Sequence, residues 1–106
     1  MKVKRNKDGK IIYFVSHDYD YSIIRTVVLN DEGGFDYYNL IQYEDIGLSQ
    51  STISKIERAE QIFYYQYQIE TGEYESEEIK EEYQKLMSEI VAEIRKCVGD
   101  DIEVRA

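Results

Sequence analysis

Phe35-Asp36-Tyr37-Tyr38-Asn39-Leu40-Ile41-Gln42-Tyr43 is the stretch on which the fold turns. Phe35, Tyr37, Asn39, Ile41 and Tyr43 alternate along it, and a period of two marks a strand with two unlike faces. Aromatic and β-branched side chains suit such a half-buried pleated surface. The nine residues are expected to form the third long strand of a sheet.

Toward the N-terminus, Asn30-Asp31-Glu32-Gly33-Gly34 reads as a turn. Residues 22–29 before it carry the β-branched Ile23, Ile24, Thr26, Val27 and Val28. Ile11-Ile12-Tyr13-Phe14-Val15 is a continuous apolar run, as a central strand requires. Residues 2–5 and 10–15 flank Asn6-Lys7-Asp8-Gly9, where Asp-Gly is a strong hairpin signal. The expectation is an antiparallel meander of three strands, with residues 2–5 as a fourth.

Toward the C-terminus the period changes. Ser49 is a good N-cap, and Ile53, Ile56, Ala59, Phe63 and Tyr67 recur at helical spacing until Thr71-Gly72 ends the run. Ser76 caps a second helix with Glu77 and Glu78 in its first turn, where the helix dipole favours anions. Ile79, Tyr83, Leu86, Ile90, Ile94 and Cys97 trace one stripe, on which Cys97 is expected as a buried, inert thiol. Gly99 stops this helix. Residues 100–106 follow as a tail or an edge strand through Ile102 and Val104. The predicted fold class is α+β, an N-terminal antiparallel β-meander of three or four strands packed on a C-terminal α-helical hairpin. One domain spans 1–106, with a sheet half (1–45), a two-helix half (46–99) and the tail (100–106).

Composition narrows the functional classes. With 42% hydrophobic and 33% charged residues, the 106-residue chain has material for a modest core under a charged surface. No apolar run approaches the ~18 residues of a membrane span, and none near Met1 resembles a signal peptide. A cytoplasmic protein without membrane contact is expected. Cys97 stands alone, which excludes an intramolecular disulfide, and one cysteine with one histidine does not make a typical structural zinc site.

Charge is the strongest compositional signal. The formal charge is −9, yet residues 1–10 hold +4 through Lys2, Lys4, Arg5, Lys7 and Lys10 against Asp8, leaving −13 on the other 96. Such a field repels phosphate and attracts basic partners. Seven carboxylates, Glu70, Glu73, Glu75, Glu77, Glu78, Glu81 and Glu82, fall within thirteen residues with Lys80 alone against them. Glu77 with Glu81, and Glu78 with Glu82, stand one helical turn apart and repel. Eleven tyrosines and no tryptophan supply rings with polar tips. Two of these rings lie in the polar run His17-Asp18-Tyr19-Asp20-Tyr21, so Asp18, Tyr19 and Asp20 join the seven glutamates as candidate partner contacts.

Enzymatic patterns are thin. His17, Asp18 and Asp20 are too few for a metal site. Glu78-Ile79-Lys80 matches the Glu-x-Lys half of a nuclease motif but falls in the first turn of a helix, where nuclease cores use a strand. Gly33-Gly34 lies between strands with no basic residue or helix behind it, unlike a phosphate loop. No catalytic residue, metal or cofactor is expected.

Two resemblances bear on function. Ile46-Gly47-Leu48-Ser49-Gln50-Ser51-Thr52-Ile53-Ser54-Lys55-Ile56-Glu57-Arg58 resembles the turn and recognition helix of lambda-repressor-like helix-turn-helix domains. The resemblance implies that Gln50, Ser51 and Ser54 face a DNA major groove while Ile53 packs inward. It covers about 13 residues and departs upstream, where bulky Tyr43 replaces a small residue. In style the whole chain is similar to the small acidic inhibitors of phages and mobile elements, the anti-CRISPR proteins and anti-restriction DNA mimics. That likeness implies a non-enzymatic inhibitor of a basic, nucleic-acid-binding surface and no specific duplex binding of its own. The alternatives are a DNA-binding regulator built on residues 49–60, and a structural or oligomeric protein whose charge serves solubility.

Overall fold

A computed structural model describes residues 2–17 and 22–106. Among these residues, seven strands and two α-helices follow in the order β1 (Lys2–Val3), β2 (Ile11–Val15), β3 (Ile24–Leu29), β4 (Phe35–Leu40), α1 (Gln50–Tyr65), β5 (Tyr67–Gln68), β6 (Glu73–Tyr74), α2 (Glu77–Cys97) and β7 (Ile102–Arg105). A 3-10 turn, Tyr43–Ile46, leads into α1. The N-terminal sheet followed by two helices is the expected α+β arrangement, and β2, β3 and β4 form its antiparallel meander.

Register explains how the sheet is assembled. Arg25 of β3 pairs with Phe14 of β2 and Leu40 of β4, while Val28 pairs with Val3 of β1 and Tyr37 of β4. β1 and β2 therefore lie end to end along one edge of β3, with β4 along the other. The Asp8-Gly9 turn forms, but the expected β1–β2 hairpin is reduced to one bridge, Arg5 to Ile11. The paired part of β2 meets only the first residues of β3, and β1 supplies partners for the backbone groups further on, as in Lys4 N to Val27 O at 2.8 Å. The tail forms β7, which pairs with β2 in parallel, so the sheet is mixed rather than purely antiparallel.

The helices cover one face of this sheet. Directly opposed residues share a face, so Val15 and Ile24 look toward the helices together, and both are fully buried. They pack with Ile56 and Ala59 of α1, Ile90, Val91 and Ile94 of α2, and Val104 of β7. Ile56, Ile90 and Ile94 are completely excluded from solvent. Truncating any of them to alanine should remove about 2–5 kcal/mol, a large part of the stability of a domain this size. Ser49 and Ser76 cap the helices as expected, accepting hydrogen bonds from the Thr52 and Ile79 amides.

Three local expectations are corrected. α1 stops at Tyr65, so Tyr67 leaves the helical stripe and enters the small β5–β6 hairpin. Gly72, at φ 72°, serves the turn of that hairpin rather than a helix end. Cys97, one turn past Ile94, is exposed, with its Sγ 3.9 Å from the Gly47 carbonyl oxygen.

The deciding strand differs in one detail. Between Val28 and Leu29 the register slips, and Leu29 faces Phe35 instead of Asp36. This bulge reverses the alternation at the strand's start. Phe35 joins the face of Tyr38, with ring centroids 4.9 Å apart, rather than the face of Tyr37. Beyond Leu40 the chain leaves the strand, and Tyr43 packs against the core from the 3-10 turn.

Candidate binding surface

The acidic run is mounted on a closed circuit of rings. His17 stacks on Phe63 with centroids 5.4 Å apart, Phe63 on Tyr67 at 5.6 Å, and Tyr67 meets Tyr74 at 4.7 Å. Tyr74 meets Tyr83, and Tyr83 meets His17, each at 5.7 Å. A 2.7 Å hydrogen bond joins His17 Nδ1 to the Tyr83 hydroxyl. The segment after β2, the end of α1, both strands of the hairpin and the first half of α2 each contribute a ring. A two-stranded hairpin this short is not stable alone. Packing of Tyr67 and Tyr74 into the circuit holds it against the helices, and the Glu75 amide extends the ladder to the Gln66 carbonyl at 2.8 Å.

Burial tunes the groups beneath. His17 is pushed down to about 4 by desolvation first and by the Arg25 charge second, so it is neutral at pH 7. Its Nε2 is buried without a hydrogen-bond partner among the described residues. Tyr83 is raised far above the ordinary phenol value by burial, then by Tyr74 and Tyr67. Tyr74 is also raised, by burial and by Tyr67.

Over this base, Glu70, Glu73, Glu75, Glu77, Glu78 and Glu81 are exposed. Glu73 lies between two shallow depressions. One, of about 330 Å³, includes Tyr65 and Glu75, and the other, of about 300 Å³, includes Glu77 and Lys80. Tyr65 is 83% exposed and Ile69 49%, so the acids share this end of the molecule with two uncovered apolar side chains.

Glu82 does not belong with them. Its carboxylate accepts from Arg58 Nε at 2.7 Å and Nη2 at 2.9 Å, which holds it below the usual carboxylate range. Asp18, Tyr19 and Asp20 lie outside the described residues.

Comparison with family models, curated proteins and solved structures finds no match to this chain. Among the described residues no helix is long and apolar enough to cross a membrane.

The helix-turn-helix-like segment sits in an unlike setting. β4 and a 3-10 turn precede α1 in place of a supporting helix. Gln50, Ser51 and Ser54 are exposed, but Lys55 and Arg58 are both turned to α2, Lys55 toward Glu89 at 3.1 Å.

Sequence reasoning missed the ring circuit and the role of Arg58. A signal for the hairpin is present in Tyr65-Gln66-Tyr67-Gln68, where the period changes to two before Thr71-Gly72 and Tyr74. The Arg58–Glu82 pair joins residues 24 apart and needs the helix packing to be seen.

Proposed function

We propose that this chain is a non-enzymatic acidic binding protein that docks its hairpin end on the basic surface of a nucleic-acid-handling protein and inhibits it. The observation that carries this reading is the grouping of six exposed carboxylates, Glu70, Glu73, Glu75, Glu77, Glu78 and Glu81, around exposed Tyr65 and Ile69. Charge of one sign steers a basic partner, while uncovered rings and aliphatic groups slow its departure. Repulsion among the acids opposes folding, so a binding role accounts for them better than stability does. The ring circuit ties the hairpin to both helices, which should reduce the ordering lost on docking. Small size, acidity and the lack of a catalytic pattern in the sequence agree with the inhibitor style of phages and mobile elements.

The test uses the whole chain as bait in host lysate, beside a variant with Glu73, Glu75, Glu77 and Glu78 all replaced by Gln. The wild type is expected to retain a basic nucleic-acid-binding protein at about 50 mM salt and to release it at about 500 mM. Duplex DNA should compete with the bait for that protein, and the variant should lose it. Equal retention by both baits overturns the assignment.

A further inference from the structure

The sheet face turned away from the helices holds a trough of about 660 Å³, and we propose that it binds a small aromatic anion, a planar ring bearing a phosphate or a carboxylate. Its volume lies in the range of small-molecule sites. In a chain with 22 acidic and 13 basic residues, the trough is lined, among the described residues, by Lys4, Arg25 and Arg105 and by no Asp or Glu, with Ala106 also in the lining.

Register builds this face in rows. Arg105, Phe14 and Arg25 stand side by side across β7, β2 and β3. In the next row Val27 faces Tyr38, with Lys4 beside it through the Lys4 N to Val27 O bond. Leu29 faces Phe35 in the third. The bulge decides this third row, because a regular ladder would set the Asp36 carboxylate where the Phe35 ring now lies. A strand irregularity that replaces an acid by a ring, on a face lined by cations, suits an aromatic anion.

Arg25 is the fixed charge under the site. It is 7% exposed, and its guanidinium is held by Nη1 to the carbonyls of Ser16 at 2.8 Å and Ser22 at 3.3 Å, and by Nη2 to the Ser16 hydroxyl at 2.9 Å. None of these partners is an acid, and Nε is buried without a partner among the described residues. The Tyr38 ring covers the guanidinium, 5.0 Å from its carbon. Arg105 lies over Phe14 at 5.8 Å and is paired with Glu103, while Lys4 and Arg25 have no ion pair among the described residues. Phe35, 56% exposed, offers a free ring surface, and Val27 and Leu29 line the trough between the rings and the cations.

The test is an NMR titration of the ¹⁵N-labelled full chain with AMP, indole-3-acetate, adenosine and inorganic phosphate. AMP or indole-3-acetate should saturate, with shifts confined to the sheet strands β1, β2, β3, β4 and β7, and which of the two binds tells phosphate from carboxylate. Adenosine and phosphate, each holding half of the chemistry, should bind at least about tenfold more weakly. Phe35→Ala changes an exposed side chain, so a preserved spectrum shows that it folds, and it should weaken binding about tenfold. Lys4→Gln should weaken it severalfold. The proposal fails if neither aromatic anion saturates below about 10 mM, if phosphate alone binds as well, or if Phe35→Ala has no effect. It fails also if a single-stranded oligonucleotide binds more than about a hundredfold tighter than AMP, which would mark a polymer surface.

Discussion

Arg58 on α1 grips Glu82 on α2 with two parallel hydrogen bonds of 2.7 and 2.9 Å. One member of the acidic run is thus a tie between the helices, and its six exposed companions are not. Two carboxylates adjacent in sequence, Glu81 and Glu82, should therefore behave differently. Glu82→Gln should lower the unfolding free energy by about 0.5–1 kcal/mol, the scale of a partly exposed ion pair, while Glu81→Gln should leave it unchanged or raise it. Urea denaturation at pH 7 measures both. The Glu82 carboxyl is depressed in the folded state, so its contribution is complete above the ordinary carboxylate range and is lost as pH falls from there through its lower folded value. The gap between wild type and Glu82→Gln should close in acid.

His17 gives the second pH signature. Its folded value of about 4 lies below the unfolded value of 6.5, so above pH 6.5 both states are neutral and the group is silent. As pH falls from there toward 4, the unfolded chain takes up the proton first. Stability should fall with a slope approaching about 1.4 kcal/mol per pH unit from this residue. His17 is the single histidine, so its ring resonances can be followed directly. Titration of the native ring near 6.5 would show that the circuit is not closed around it.

Duplex DNA should not be bound specifically at about 150 mM salt. Lys55 and Arg58, the two cations of the helix-turn-helix-like segment, are paired with Glu89 and Glu82 and are not free for phosphates. Gel shifts with competitor DNA test this, and a sharp, competitor-resistant band would return residues 49–60 to the role of a recognition helix.

The fold was legible where one period ruled a long segment. The alternation from Phe35 identified β4, and the stripe from Tyr83 to Ile94 identified α2 together with its buried face. Short range defeated the reading elsewhere. A two-residue strand such as β5 has no period, so Tyr67 was absorbed into the stripe of the helix before it. Phe35 changed faces because a bulge is a property of the pairing with β3, which β4's own sequence does not announce. Of the candidate surface, sequence supplied the acids. The partners that separate Glu82 from the rest, and the rings that hold the hairpin, come from segments far apart in the chain.

The central claim is that the exposed acids around the hairpin steer a basic partner, and rate constants address it most directly. Association and dissociation of the whole chain with its captured partner are to be measured from about 50 to 500 mM salt, for the wild type and for the variant with Glu73, Glu75, Glu77 and Glu78 changed to Gln. The wild-type association rate should fall steeply with salt. The variant should start about tenfold lower and depend weakly on salt, with dissociation and melting temperature close to wild type. Equal association rates and equal salt dependence for the two proteins would contradict the account and leave the acids as a solvated face.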